Sequence, residues 1–178
     1  MPGDRPEAVL LTGIYGVGKS STAAEIADLL EGRRLGYAML DLDYLEWFDT
    51  GRDDRSGADE LFRANVSAVV RNYLSAGIRR FVVAGTVADV AAREGLAETL
   101  DMPLRVVRLV APFGEIERRL RADVTSGRAH DLREARAQME RGDTVGIEDM
   151  TIASDRPIRE VAREVLDRLG WADDAADA

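Results

Sequence analysis

The sequence predicts an α/β protein, a three-layer sandwich with helices on both faces of a parallel sheet. Two observations carry this. Short apolar runs alternate with amphipathic stretches along the 178 residues, and strands separated by helices pair in parallel through right-handed crossovers. A glycine-rich turn also joins the first apolar run directly to the first amphipathic stretch.

Ala8–Thr12 reads as the first strand, and Ser20–Leu30 as a helix with Ala23, Ala24, Ile26, Ala27, Leu29 and Leu30 at helical spacing. Tyr37–Leu42 reads as the second strand. Ala58–Leu74 predicts a long helix with Leu61, Phe62, Val66, Val69, Val70, Tyr73 and Leu74 on one face, ended by Gly77. Phe81–Ala84 reads as the third strand, Val87–Leu100 as a helix and Leu104–Val110 as the fourth strand. Pro112 suits the first turn of a helix running to about Asp123. Thr125–Asp131, with Ser126 and Gly127, breaks the pattern, and Leu132–Arg141 is polar at most positions, as a mobile surface helix would be. Met150–Ala153 reads as the last strand, and Pro157–Leu169 as the last helix, with Ile158, Val161, Ala162, Val165 and Leu166 inward. The acidic tail, 172–178, is expected to be disordered. Without an internal repeat or low-complexity linker, residues 1–178 read as a single domain.

The composition narrows the function classes. No cysteine is present, which excludes disulfides, zinc-thiolate sites and thiol nucleophiles and suits a reducing, cytoplasmic setting. No apolar run has the length of a signal peptide or membrane span, so no membrane partner is expected. A formal net charge of −9 repels phosphate backbones and argues against nucleic acid as a partner.

Against that charge stands one specific anion-binding pattern. Gly13-Ile14-Tyr15-Gly16-Val17-Gly18-Lys19-Ser20 matches G-x-x-x-x-G-K-[ST] between a strand and a helix. Glycines let successive amide N–H groups converge on one concavity, and the helix adds its positive end, to which Ser21 also belongs. Lys19 is the only lysine in the chain. It is expected to reach the β and γ phosphates of ATP, with the Ser20 hydroxyl on Mg2+. No second lysine exists to build the Asn-Lys-x-Asp motif that reads guanine. The Asp54-Arg55-Ser56-Gly57 stretch reads as a polar turn. The third strand lacks the Asp-Glu ending of motor ATPases.

Ligands of open α/β sheets sit beyond the carboxyl ends of the strands. Gly13–Ser20, Asp41–Asp43 and Gly85 all follow strand ends and are expected to meet on one edge. Strand alternation would put Asp41 and Asp43 on the same face. Asp41 is assigned to Mg2+ and Asp43 to the proton of an acceptor hydroxyl, the role a carboxylate takes in phosphoryl transfer. Trp47 and Phe48 follow closely and are candidates for the floor of an acceptor pocket. Arg118, Arg119, Arg121 and Arg128 flank the Ser126-Gly127 turn, where guanidinium groups that close over the phosphates would exclude water.

A P-loop at the first strand, Asp-x-Asp after the second, an arginine-rich lid and a late proline-containing loop resemble the small-molecule kinases of the shikimate, gluconate and adenylylsulfate kinase group. The resemblance covers nearly the whole chain. It implies the P-loop fold with five parallel strands in the order 2-3-1-4-5, an acceptor segment over about residues 44–75 and a mobile lid over about 118–141. It also implies that adenine stacks between Arg119 or Arg118 and the Asp155-Arg156-Pro157 loop. Glu60-Leu61-Phe62-Arg63 is similar to the Glu-Phe-Arg-Arg pattern of shikimate kinases, which makes Arg63 the candidate anchor of an anionic acceptor. The glycine triplet after the third strand is reduced to Gly85, and the lid's Arg-Pro-Leu is replaced by Arg128-Ala129-His130, so the pattern departs from shikimate kinases. His130, the only histidine, is given no catalytic role. The expected function is phosphoryl transfer from ATP to a small-molecule hydroxyl by a monomer or homodimer. The alternative is a regulatory ATP-binding module that signals to a protein partner.

Overall fold

The computed structural model describes residues 5–49, 51, 57–122, 128–142 and 144–171, with the side chains of residues 128–130 left out. The 54–56 turn, the 123–127 segment and the 172–178 tail lie outside the described residues, as do the side chains of Arg128 and His130. The elements run β1 (Glu7–Thr12), α1 (Lys19–Gly32), β2 (Tyr37–Asp41), α2 (Leu42–Glu46), α3 (Ala58–Ser75), β3 (Arg80–Ala84), α4 (Val90–Leu100), β4 (Leu104–Val110), α5 (Phe113–Ala122), α6 (Arg128–Arg141), β5 (Met150–Ala153) and α7 (Ile158–Leu169). All strand pairs are parallel, in the order β2-β3-β1-β4-β5, as the resemblance implies.

β1 lies at the centre and is apolar on both faces because both are covered. Val9 and Leu11 join Ala23, Ile26 and Leu30 of α1 and Val161, Val165 and Leu166 of α7 in one layer. Ala8 and Leu10 join Val66 and Val70 of α3 and Leu96 and Leu100 of α4 in the other. Trp171 is buried in the first layer, and its indole N–H donates to Glu7 at the start of β1, closing the last helix over the first strand.

Several expectations need correction. β2 ends at Asp41, and Leu42 begins the short helix α2, which the apolar run had hidden. Leu61 (41 % exposed) and Tyr73 (40 %) lie at the solvent border of α3 rather than in its core face. Ile158 is exposed at the head of α7. Pro112 sits just before the first helical residue of α5, its carbonyl accepting from Glu115 and Ile116 N–H. α6 begins at Arg128, and it is docked rather than free: Ala135 is fully buried, Leu132 packs beside it, and Arg136 lies over the Phe113 ring at 5.2 Å. Among the described residues no helix is long and apolar enough to cross a membrane.

The turn after β1 fits tightly over the end of β4. Gly13 has φ +139°, and a Cβ there would lie 2.5 Å from the Leu109 carbonyl oxygen and 3.0 Å from Val17 Cγ1. The Leu109 backbone cannot yield cheaply. Gly13→Ala is therefore expected to destabilise the fold by about 1–3 kcal/mol, read as a Tm lowered by roughly 3–10 °C in thermal unfolding. An unchanged Tm would show that the turn does not need this conformation.

Candidate active site

The Gly13–Ser20 loop carries the chain from the carboxyl end of β1 into α1. Gly18 caps α1 in the left-handed region, and no side chain bonds to the first-turn amides. Those N–H groups have no intrahelical acceptor, so the loop and helix start form a cradle for an anion. Lys19 is buried at its edge, with Nζ donating to the carbonyls of Gly13 (3.0 Å) and Ile14 (3.4 Å). Burial holds its pKa below the ordinary lysine value, opposed by the charges of Asp43 and Asp41. Ser20 and Ser21 are exposed on the first turn of α1.

The two aspartates reach this edge by another route than strand alternation. Asp41 is the N-cap of α2, its carboxylate accepting from Asp43 N–H at 3.1 Å, and Asp43 stands in the first turn. Partial desolvation raises the Asp43 pKa, Asp41's charge raises it further, and Lys19 lowers it. Asp43 is solvent-accessible as a residue and also lines a cavity of ≈ 320 Å³ together with Glu46, Asp59, Arg63, Thr86 and Leu96.

Helical periodicity decides which neighbours join it. Asp43 and Glu46, three apart on α2, face the cavity. Trp47 is 81 % exposed, stacks on Tyr44 with ring centroids 6.2 Å apart, and does not line the cavity; Phe48, beyond the helix end, does not line it either. Gly85 is buried behind Leu42, and Thr86 and Val87 reach the cavity in its place.

A second cavity, ≈ 190 Å³, lies on the other side of the loop, between Val17, Gly18, Ser21, Arg119, Arg156 and Ile158. Arg119 is locked into its wall: Nε donates to Glu115 at 2.8 Å, Nη1 to the Val17 carbonyl at 2.9 Å and Nη2 to the Ser154 carbonyl at 2.5 Å. Arg118, one residue and about 100° away on α5, points to solvent and pairs with Glu115 instead. Pro157 caps α7 without lining the cavity, and Arg156, ion-paired with Glu164, and Ile158 take its place.

Sequence reasoning missed two contacts. The Tyr15 N–H of the loop donates to Gln138 Oε1 on α6 at 2.7 Å, so the polar helix touches the anion cradle directly. Arg63 lies against Gly95 of α4, 32 positions away. Neither has a local sequence signal.

The family model described as an AAA domain matches residues 9–142. No curated protein sequence matches the chain significantly. Among solved structures, a gluconokinase from Sinorhizobium meliloti 1021 is 21% identical with a TM-score of 0.61, covering 94% of this chain and 93% of that one. The Mycobacterium tuberculosis APS kinase CysC, in complex with AMPPNP and APS, is 23% identical with a TM-score of 0.60, covering 93% and 98%. A shikimate kinase from Bacteroides thetaiotaomicron is 17% identical with a TM-score of 0.63, covering 92% and 98%. These are the three kinds of protein that the motifs resemble, and at such identities they show a shared P-loop kinase-like fold. With its family model spanning the cradle, the Asp43 cavity and most of the sheet, the chain belongs to the AAA domain family.

Proposed function

We propose that this protein transfers the γ-phosphate of ATP to a hydroxyl of a small molecule, with Mg2+. One observation carries the reading: Asp43 lines a ligand-sized cavity while its charge acts on the lysine of the anion cradle. A carboxylate between a phosphate site and a ligand-sized cavity is what a phosphotransferase needs.

In this reading the loop amides and the head of α1 hold the β and γ phosphates, and Lys19 leaves the Gly13 and Ile14 carbonyls for phosphate oxygens. The base packs in the Arg119 cavity, whose guanidinium is already fixed in place. The Ser20 hydroxyl and the Asp41 carboxylate are hard oxygen donors at the same edge and fit Mg2+, which keeps most of its shell as water and phosphate oxygen. When bound it would neutralise charge on the phosphates. Asp43 takes the acceptor's proton as the new oxygen–phosphorus bond forms and the bond from the γ-phosphorus to the bridging oxygen breaks, releasing ADP. Arg63 offers its guanidinium to an anionic part of the acceptor.

Lys19→Ala is expected to weaken ATP binding about 10- to 100-fold with the fold intact, measured by calorimetric titration with ATP and Mg2+. Unchanged affinity would remove the cradle from the account. Asp43→Asn should keep ATP affinity but lose ~10²- to 10⁴-fold in acceptor-dependent turnover.

The pH profile follows from the same group. A base must be deprotonated to act, and the Asp43 pKa is raised, so activity should fall on the acid side at a pH above the ordinary aspartate value. Asp43→Asn should therefore remove this acid limb from the residual activity. A limb that stays in place would mean that Asp43 is not the titrating group.

A further inference from the structure

The cavity beside Asp43 contains charges of both signs that do not neutralise one another. Asp43, Glu46, Asp59 and Arg63 all line it. Asp59 and Arg63 are four residues apart on α3, acid first, which is the favourable order for an ion pair on a helix surface. Glu60 offers Arg63 a second acid three residues back. Yet among the described residues neither the Arg63 guanidinium nor the Asp59 carboxylate has an ion-pair or hydrogen-bond partner.

The guanidinium is drawn instead across to α4. It lies against Gly95, where a Cβ would come 2.9 Å from Arg63 Nη2 and 3.4 Å from Cζ. Gly95 is buried and lines the same cavity, so its missing side chain is what gives the guanidinium a seat away from Asp59. Glycine inside a helix costs about 1 kcal/mol relative to alanine, and here that cost leaves two opposite charges apart.

These side chains remain in contact with water, so a ligand is selected here by charge complementarity to the lining rather than by relief of a buried charge. An anionic acceptor would match Arg63 but bring more negative charge beside Asp43 and Asp59. A cationic one would match the carboxylates and leave the guanidinium bare. We infer that the acceptor is a zwitterion, a small hydroxylated molecule with an ammonium and a carboxylate group, such as a hydroxy amino acid or an amino sugar acid. The inference rests on the phosphotransferase reading above. The carboxylate sits on Arg63 over Gly95, the ammonium at Asp59, and the hydroxyl at Asp43. A volume of ≈ 320 Å³ suits molecules of this size.

Matched acceptor pairs test it with ATP and Mg2+, reading ADP release: glucosaminate against gluconate, and homoserine against 4-hydroxybutyrate. Within a pair the aminated member should have a kcat/KM at least about tenfold higher, the worth of one charge-assisted hydrogen bond. Asp59→Asn should abolish that preference by raising KM for the aminated member, with kcat little changed and the deaminated partner unaffected. General damage to α3 would lower both alike. Gly95→Ala should keep or raise the Tm, because only the mobile end of an arginine must move, and should raise KM for both members. If the deaminated members react as well as or better than the aminated ones, the zwitterion is wrong and the phosphotransferase stands. If the protein binds ATP and no member of either pair accelerates ADP release, both fail.

Discussion

A buried ammonium with no direct carboxylate partner among the described residues is the constraint around which this structure is arranged. Lys19 is taken out of water at the head of α1 and held, among the described residues, by the carbonyls of Gly13 and Ile14. Carbonyl dipoles compensate a charge poorly in a desolvated place. Asp41 and Asp43 contribute charge without forming an ion pair with it, which leaves the lysine available to an incoming anion. An ion pair at this position would make the loop more stable and a poorer phosphate site.

The surrounding elements hold the cradle in shape. Arg119 ties α5 to the Val17 and Ser154 carbonyls, so the loop, α5 and the turn after β5 form one wall. Gln138 ties α6 to the Tyr15 amide. On the opposite side, α2 carries Asp43 and Glu46 towards the cavity that α3 and α4 complete. Each connection joins a segment from a different part of the chain to the same sheet edge, which is where an open parallel sheet places its ligands.

The bounds of β4 and β5 were legible in the sequence, because buried parallel strands are continuous apolar runs punctuated by glycine and proline, whereas the sheet order came only from the resemblance that the motifs carry. Leu42 misled because an apolar residue after β2 reads as more strand, and a five-residue helix has too few positions to show a period. α6 looked polar at most positions because its buried contact is small, Ala135 with Leu132 beside it. Trp47 and Phe48 were drawn into the site by proximity in sequence, which says nothing about the side of a helix on which a residue falls. The pairing of Arg63 with Gly95 depends on the packing of α3 on α4 and has no trace in either segment alone.

The most direct measurement is a crystal structure with a non-hydrolysable ATP analogue and Mg2+. The account predicts the base in the Arg119 cavity, Lys19 Nζ moved from the Gly13 and Ile14 carbonyls to the β and γ oxygens, and the γ-phosphate facing the cavity that Asp43 lines. A γ-phosphate turned away from that cavity, or a lysine still on the loop carbonyls with nucleotide bound, would contradict it.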